Sequence, residues 1–197
     1  MPRAPEALTA HPDWDRLYET AVAQDGLFTT QQAGAAGYSP QLLRHHVQKG
    51  RVARVRRGIY RLVHFPAGEH EELVAAWLWS ERAGVVSHQT ALGLHELSDV
   101  LPSQLHLTLP VAWLGRRFRR PPGVVLHFGD VLASDRSWIG AIPVTSPLRS
   151  LNDCVREGLS PELLKQAARQ ILRRGLASKR ELRDVERALK PFGGVAL

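Results

Sequence analysis

Residues 39–62 read SPQLLRHHVQKGRVARVRRGIYRL, and the fold of the front of the chain follows from them. Ser39 sits as an N-cap and Pro40 at the first helical position, where a missing N–H costs nothing. Leu43 and Val47, helped by Leu42 or His46, mark the buried stripe of a helix, and Gly50 is a suitable stop. Gln41, Arg44, His45 and Gln48 recur at i, i+3, i+4 and i+7, so they share the opposite face. Arg51 to Arg56 then alternates as a strand, Arg57-Gly58 is a turn, and Ile59 to Leu62 returns.

Upstream, Thr29 or Thr30 caps a helix over 31–36 made of small residues, and Gly37 takes the left-handed turn after it. Asp13 caps a first helix with Trp14, Leu17, Tyr18, Ala21 and Val22 on one face. Gly26 ends it, and Leu27-Phe28 is a short apolar link into the core. Helix, tight turn, helix and two-stranded ribbon make a winged helix-turn-helix, expected over residues 1–64.

The charge pattern says what such a module meets. Between Gly26 and Gly68 there are seven basic residues and no acidic one: Arg44, Lys49, Arg51, Arg54, Arg56, Arg57 and Arg61. The chain has 26 Lys+Arg and 19 Asp+Glu, so this window carries the whole net charge of +7. A polar helix face alone is commonplace, but a ribbon with one sign of charge points to a polyanion. Arg pairs with guanine N7/O6 and Gln with adenine N6/N7, which suits Gln41, Arg44, His45 and Gln48 to base edges in a major groove. Ser39, Lys49, Arg51, Arg54, Arg56, Arg57 and Arg61 are expected on phosphate or in the minor groove. Tyr60 is the only aromatic of the ribbon, which favours double-stranded DNA over RNA.

Phe65 to Gly68 reads as a linker, after which Glu69, Glu71 and Glu72 restore acidic charge. The remainder, 69–197, alternates helix and strand signals: helices over 69–81 and 88–97, strands over 104–109, 124–128 and 138–144, and helices over 147–156, 161–174 and 178–189. The expected class is therefore α+β, a winged helix followed by a mixed α/β domain ending in helices. Arg116, Arg117, Arg119 and Arg120 bracket Phe118 in a loop that reads as solvated, with an auxiliary phosphate or partner contact as the alternative.

Catalytic patterns are missing. There is no P-loop, Ser87-His88 are too close in sequence to work as nucleophile and base, and Asp130 and Asp135 lack a nucleotidyl-transfer pattern. His88, His95, His106 and His127 show no HxH or HExxH spacing, and the single Cys154 excludes a thiolate site. His88 and His95, two helical turns apart, could share a face; His106 and His127 read as cross-strand neighbours. All four are expected to line a core, with no metal, no cofactor and no catalytic residue. No apolar run approaches the ~18 residues of a membrane span, Met1 to Ala10 lacks a signal-peptide centre, and a lone cysteine fits the cytoplasm.

Three stretches together resemble a known family: GLFTTQQAGAAGYSPQLLRHHVQKGRVARVRRGIYRL, VVSHQTALGLHELSDVLPSQLHLTLP and IPVTSPLRSLNDC. They look like the AbiEi-type antitoxins of type IV toxin-antitoxin, or abortive-infection, systems, over about Leu17 to Cys154. The middle stretch is the most specific. The resemblance implies a winged-helix repressor of its own operon, bound as two copies to promoter inverted repeats. It also implies a second domain that counteracts a nucleotidyltransferase toxin without a stable complex. A solitary regulator, or a module whose basic face docks an acidic partner or toxin, are the alternatives.

Overall fold

The computed structural model describes residues 11–195; Met1 to Ala10, read above as lacking a signal-peptide centre, lie outside the described residues. The chain divides into two compact units, the first ending at Trp79 and the second beginning at Ser80.

In the first unit, α1 (Trp14–Val22) starts at Asp13, whose carboxylate accepts from Arg16 N at 2.9 Å. Of its apolar stripe only Leu17 and Ala21 are fully buried, while Trp14, Tyr18 and Val22 remain well exposed. β1 (Leu27–Thr29) replaces the expected apolar link: Leu27 and Phe28 are wholly buried and their backbone pairs with β3 (Ile59–Leu62). A three-residue strand is too short to announce itself by alternation. α2 (Thr30–Ala35) begins with a capping box, Thr29 Oγ1 accepting from Gln32 N and Gln32 Oε1 from Thr29 N. α3 (Pro40–Gln48) has Ser39 as N-cap, accepting from Leu42 N, and Pro40 in its first turn.

β2 (Val52–Arg56) and β3 form the ribbon, with β3 central in the order β1-β3-β2. Arg54 faces Tyr60 and Arg56 faces Ile59, so the register slips by one residue at Val55. The core joins Leu17, Ala21, Phe28, Ala33, Tyr38, Leu43, Val52 and Leu62, which is how the helices and the ribbon hold one another. α4 (Glu71–Trp79) packs against β1 and β3. The division accordingly follows Trp79 rather than the Phe65–Gly68 linker, since α4 packs on the strands of the first unit.

The second unit carries a five-stranded mixed sheet in the order β6-β5-β4-β8-β7: β4 (Val85–Val86), β5 (Leu105–Leu109), β6 (Val124–Phe128), β7 (Arg136–Ile139) and β8 (Ile142–Thr145). The single strand expected over 138–144 is instead a hairpin, turning at Gly140 with φ +56°. β5 lies inside the sheet, and His106, Leu107, Thr108 and Leu109 are all buried, so its alternation does not separate a dry face from a wet one. α5 (His88–Leu94), α6 (Pro147–Glu157), α7 (Pro161–Arg173) and α8 (Arg183–Leu189) bury Leu92, Leu151, Cys154, Leu164, Ile171, Val185 and Leu189 in one cluster. The last helix is shorter than expected, since Lys179 to Leu182 is turn. Among the described residues no helix is long and apolar enough to cross a membrane.

Candidate nucleic-acid interface

α3 presents Gln41, Arg44, His45 and Gln48, all exposed, along the face opposite Leu43. Leu42, His46 and Val47 are half-buried and complete the inner side. His46 is fixed there by rings, stacking on Trp14 at 5.9 Å and meeting Tyr38 edge-on at 5.5 Å. Burial, with Arg51 and His45 nearby, lowers its pKa and favours the neutral ring. His45 is the exposed member of the pair.

Arg44 and Val47 of α3, Arg54 of β2 and Tyr60 of β3 line one surface depression, together with Thr30, Pro40 and Leu43. The ribbon is thus set beside the third helix, with an arginine from each on a shared concavity. Lys49, Arg51, Arg54 and Arg57 are exposed. Ser39 is engaged as a cap, leaving its O–H free to donate. Arg56 is half-buried, and its Nη1 is enclosed without a hydrogen-bond partner among the described residues. Arg61 stands on the central strand, with Nη1 3.6 Å from Glu71 Oε2. Of the basic residues read from the sequence, these last two are therefore the least available to a polyanion.

Gly58, at the tip, has φ +77°, a conformation that L side chains rarely adopt, and its carbonyl accepts from Thr30 N at 2.9 Å. That bond ties the ribbon turn to the start of α2. The Arg116–Arg120 loop of the second unit is partly engaged: Arg116 lies 4.5 Å over the Trp113 ring and 3.9 Å from Glu81, and Phe118 packs on Trp113.

Spacing did not reveal what happens to the histidines. His88, His106 and His127 come together in the second unit, each offering a ring nitrogen within 4.8 Å of the others. His106 Nδ1 is 3.0 Å from His127 Nε2, and His88 stacks on His127 with centroids 3.6 Å apart. Burial lowers all three pKa values, that of His88 to about 3 with help from its histidine neighbours. His88 also has φ +51°, a sparsely populated backbone for a residue with a side chain. His95, which could share a face with His88, is outside the cluster and bonds Thr145 O through Nε2 at 2.8 Å. His106 and His127 are cross-strand neighbours, as their strands suggested: the parallel register pairs Thr108 with His127, placing His106 and His127 on one face.

Beside this cluster Arg149 Nε lies 3.0 Å from both Asp153 oxygens, and its Nη1 3.0 Å from Asp135 Oδ2. Asp153 is buried, and burial lifts its carboxyl above the usual range against the pull of Arg149. Burial likewise pushes the Cys154 thiol up, so it is a core atom rather than a nucleophile.

Residues 15–63 match the sequence model of the AbiEi_4 family, described as "Transcriptional regulator, AbiEi antitoxin". Among solved structures the chain is similar to the RV2827C protein from Mycobacterium tuberculosis, at 18% identity and a TM-score of 0.50, over 89% of this chain and 70% of that one. That likeness concerns the fold. No curated protein matches the chain.

Proposed function

We propose, from the match of residues 15–63 to the AbiEi antitoxin regulators, that the first unit is a sequence-specific binder of double-stranded DNA and represses transcription, its own promoter included. The observation that carries this is the shared depression of Arg44 and Arg54, beside an α3 face on which Gln41, Arg44, His45 and Gln48 are all exposed. In that arrangement α3 enters a major groove while Lys49, Arg51, Arg54 and Arg57 neutralise flanking phosphates. Arg56 and Arg61 contribute after releasing their local surroundings.

Inverted repeats would take two copies of the chain, one per half-site. The protein is a non-catalytic, cytoplasmic regulator in this reading, and its second unit serves to counteract a nucleotidyltransferase toxin. Footprinting across the chain's own upstream region tests the DNA role: a protected inverted repeat is expected. Equal affinity for every duplex at matched salt would remove specific readout. Co-expression with a neighbouring nucleotidyltransferase gene tests the antitoxin role, with rescue of growth expected.

A further inference from the structure

Three imidazoles from three elements converge on one another inside the second unit, and a carboxylate from a fourth faces two of them. The geometry points to a site for one divalent transition-metal ion of the Zn2+ class, held by His88, His106 and His127 with Glu157 as fourth ligand. The site is independent of the DNA-binding reading of the first unit.

Donor placement is the first argument. A tetrahedral ion bound at ~2.0–2.1 Å needs ligand nitrogens about 3.3 Å apart. His106 Nδ1 and His127 Nε2 are already 3.0 Å apart, and the His88 nitrogen lies within 4.8 Å of both. Glu157 spans the same pair: Oε2 is 3.7 Å from His106 Nδ1 and Oε1 is 3.8 Å from His127 Nε2. Two nitrogens and a carboxylate therefore lie within 3.8 Å of one another, and an ion bound among them takes the place of the hydrogen bond between His106 and His127. His88, stacked on His127, turns its ring off that stack to complete the set.

The surroundings supply the supporting bonds such ligands need. His88 Nδ1 lies 2.9 Å from Ser87 Oγ, which accepts from Thr108 Oγ1 at 2.7 Å. With Nδ1–H donating to Ser87, Nε2 of His88 is the nitrogen left to bind, the usual arrangement of a metal-bound histidine. Burial disfavours the protonated form of all three rings, and the neutral imidazole is the form that ligates. His127, the most exposed of the three with 21% of its side chain open, gives a path for entry.

Donor type sets the ion. Three imidazoles, one carboxylate and no sulfur suit Zn2+, Co2+ or Ni2+, and are a poor set for Ca2+ or Mg2+. Four protein ligands close the coordination sphere, which is the pattern of structural rather than catalytic sites. The ion would clamp α5, β5, β6 and the end of α6.

The test uses the full chain, stripped with chelator and titrated with Co2+ and then Zn2+ at pH 7.5. One Co2+ per chain, with a tetrahedral visible spectrum bleached by Zn2+, and a higher melting temperature with Zn2+, are expected. His127→Gln should weaken binding at least ~100-fold, and Glu157→Gln by ~10–100-fold; His95→Gln, outside the cluster, should leave it unchanged. Absence of binding by the unaltered chain, or binding that survives His127→Gln and is lost with His45→Gln on the surface, overturns the site. Where a variant fails to fold, the unaltered protein still decides. Its Co2+ form should show three hyperfine-shifted exchangeable imidazole N–H signals, and two or fewer would refute a three-histidine site.

Discussion

Arg61 Nη1 lies 3.6 Å from Glu71 Oε2, so one of the seven cations in the acid-free window is met by the first acidic segment beyond it. Both side chains are about a quarter exposed, and the pair adds little to stability. Its effect is on availability. Arg54→Ala should lower affinity for any duplex and flatten the plot of log K against log salt by about one unit. Arg61→Ala should change both by less. Glu71→Gln should strengthen non-specific binding by freeing Arg61. Anisotropy titrations over a range of salt check all three.

Arg44→Ala removes the exposed α3 guanidinium that shares its depression with Arg54. The expected loss is ~1–3 kcal/mol of discrimination between the operator and a site mutated at one base pair. Non-specific affinity should fall far less. Competition binding against single-base variants separates this from a phosphate contact, whose loss weakens all sequences alike.

Thr29 ends β1 and opens α2, and its hydroxyl and the Gln32 amide satisfy each other's backbone N–H groups. Thr29→Ala should destabilise the first unit by about 1 kcal/mol, within a range of ~0.5–2. Thr29→Ser should restore most of it. Urea unfolding followed by helix signal measures the difference.

His88 carries the clearest pH dependence. Its folded pKa is lowered from 6.5 to about 3, so below pH 6.5 the unfolded chain binds a proton that the folded chain refuses. The stability is present above pH 6.5 and drains away as pH falls toward 3, by at most ~1.4 kcal/mol per pH unit from this residue. Metal-free protein should therefore have a lower urea midpoint at pH 5 than at pH 7. His88→Gln should flatten that slope; an unchanged slope would show that His88 titrates freely.

The winged helix was legible because its signals are local. Asp13, Thr29 and Ser39 cap the helices that their spacing announced, Pro40 opens α3, and Gly37, Gly50 and Gly58 all adopt positive φ. What escaped was non-local. β1 exists because Leu27–Thr29 finds β3 some thirty residues on, and α4 joins the first unit because it packs against β1 and β3. The Trp138–Val144 run read as one strand because nothing in its alternation marks Gly140 as a turn.

By itself, then, the sequence determined where the first three helices begin, the exposed face of α3 and the place of the charge, since capping, periodicity and net charge are properties of neighbouring residues. Only the tertiary structure decided which cations stay available and that His88 joins His106 and His127. Arg61 finds Glu71 across a strand and a linker, and His88, His106 and His127 converge from segments 18 and 21 residues apart. Those distances are closed by sheet pairing and packing, and no local pattern encodes them.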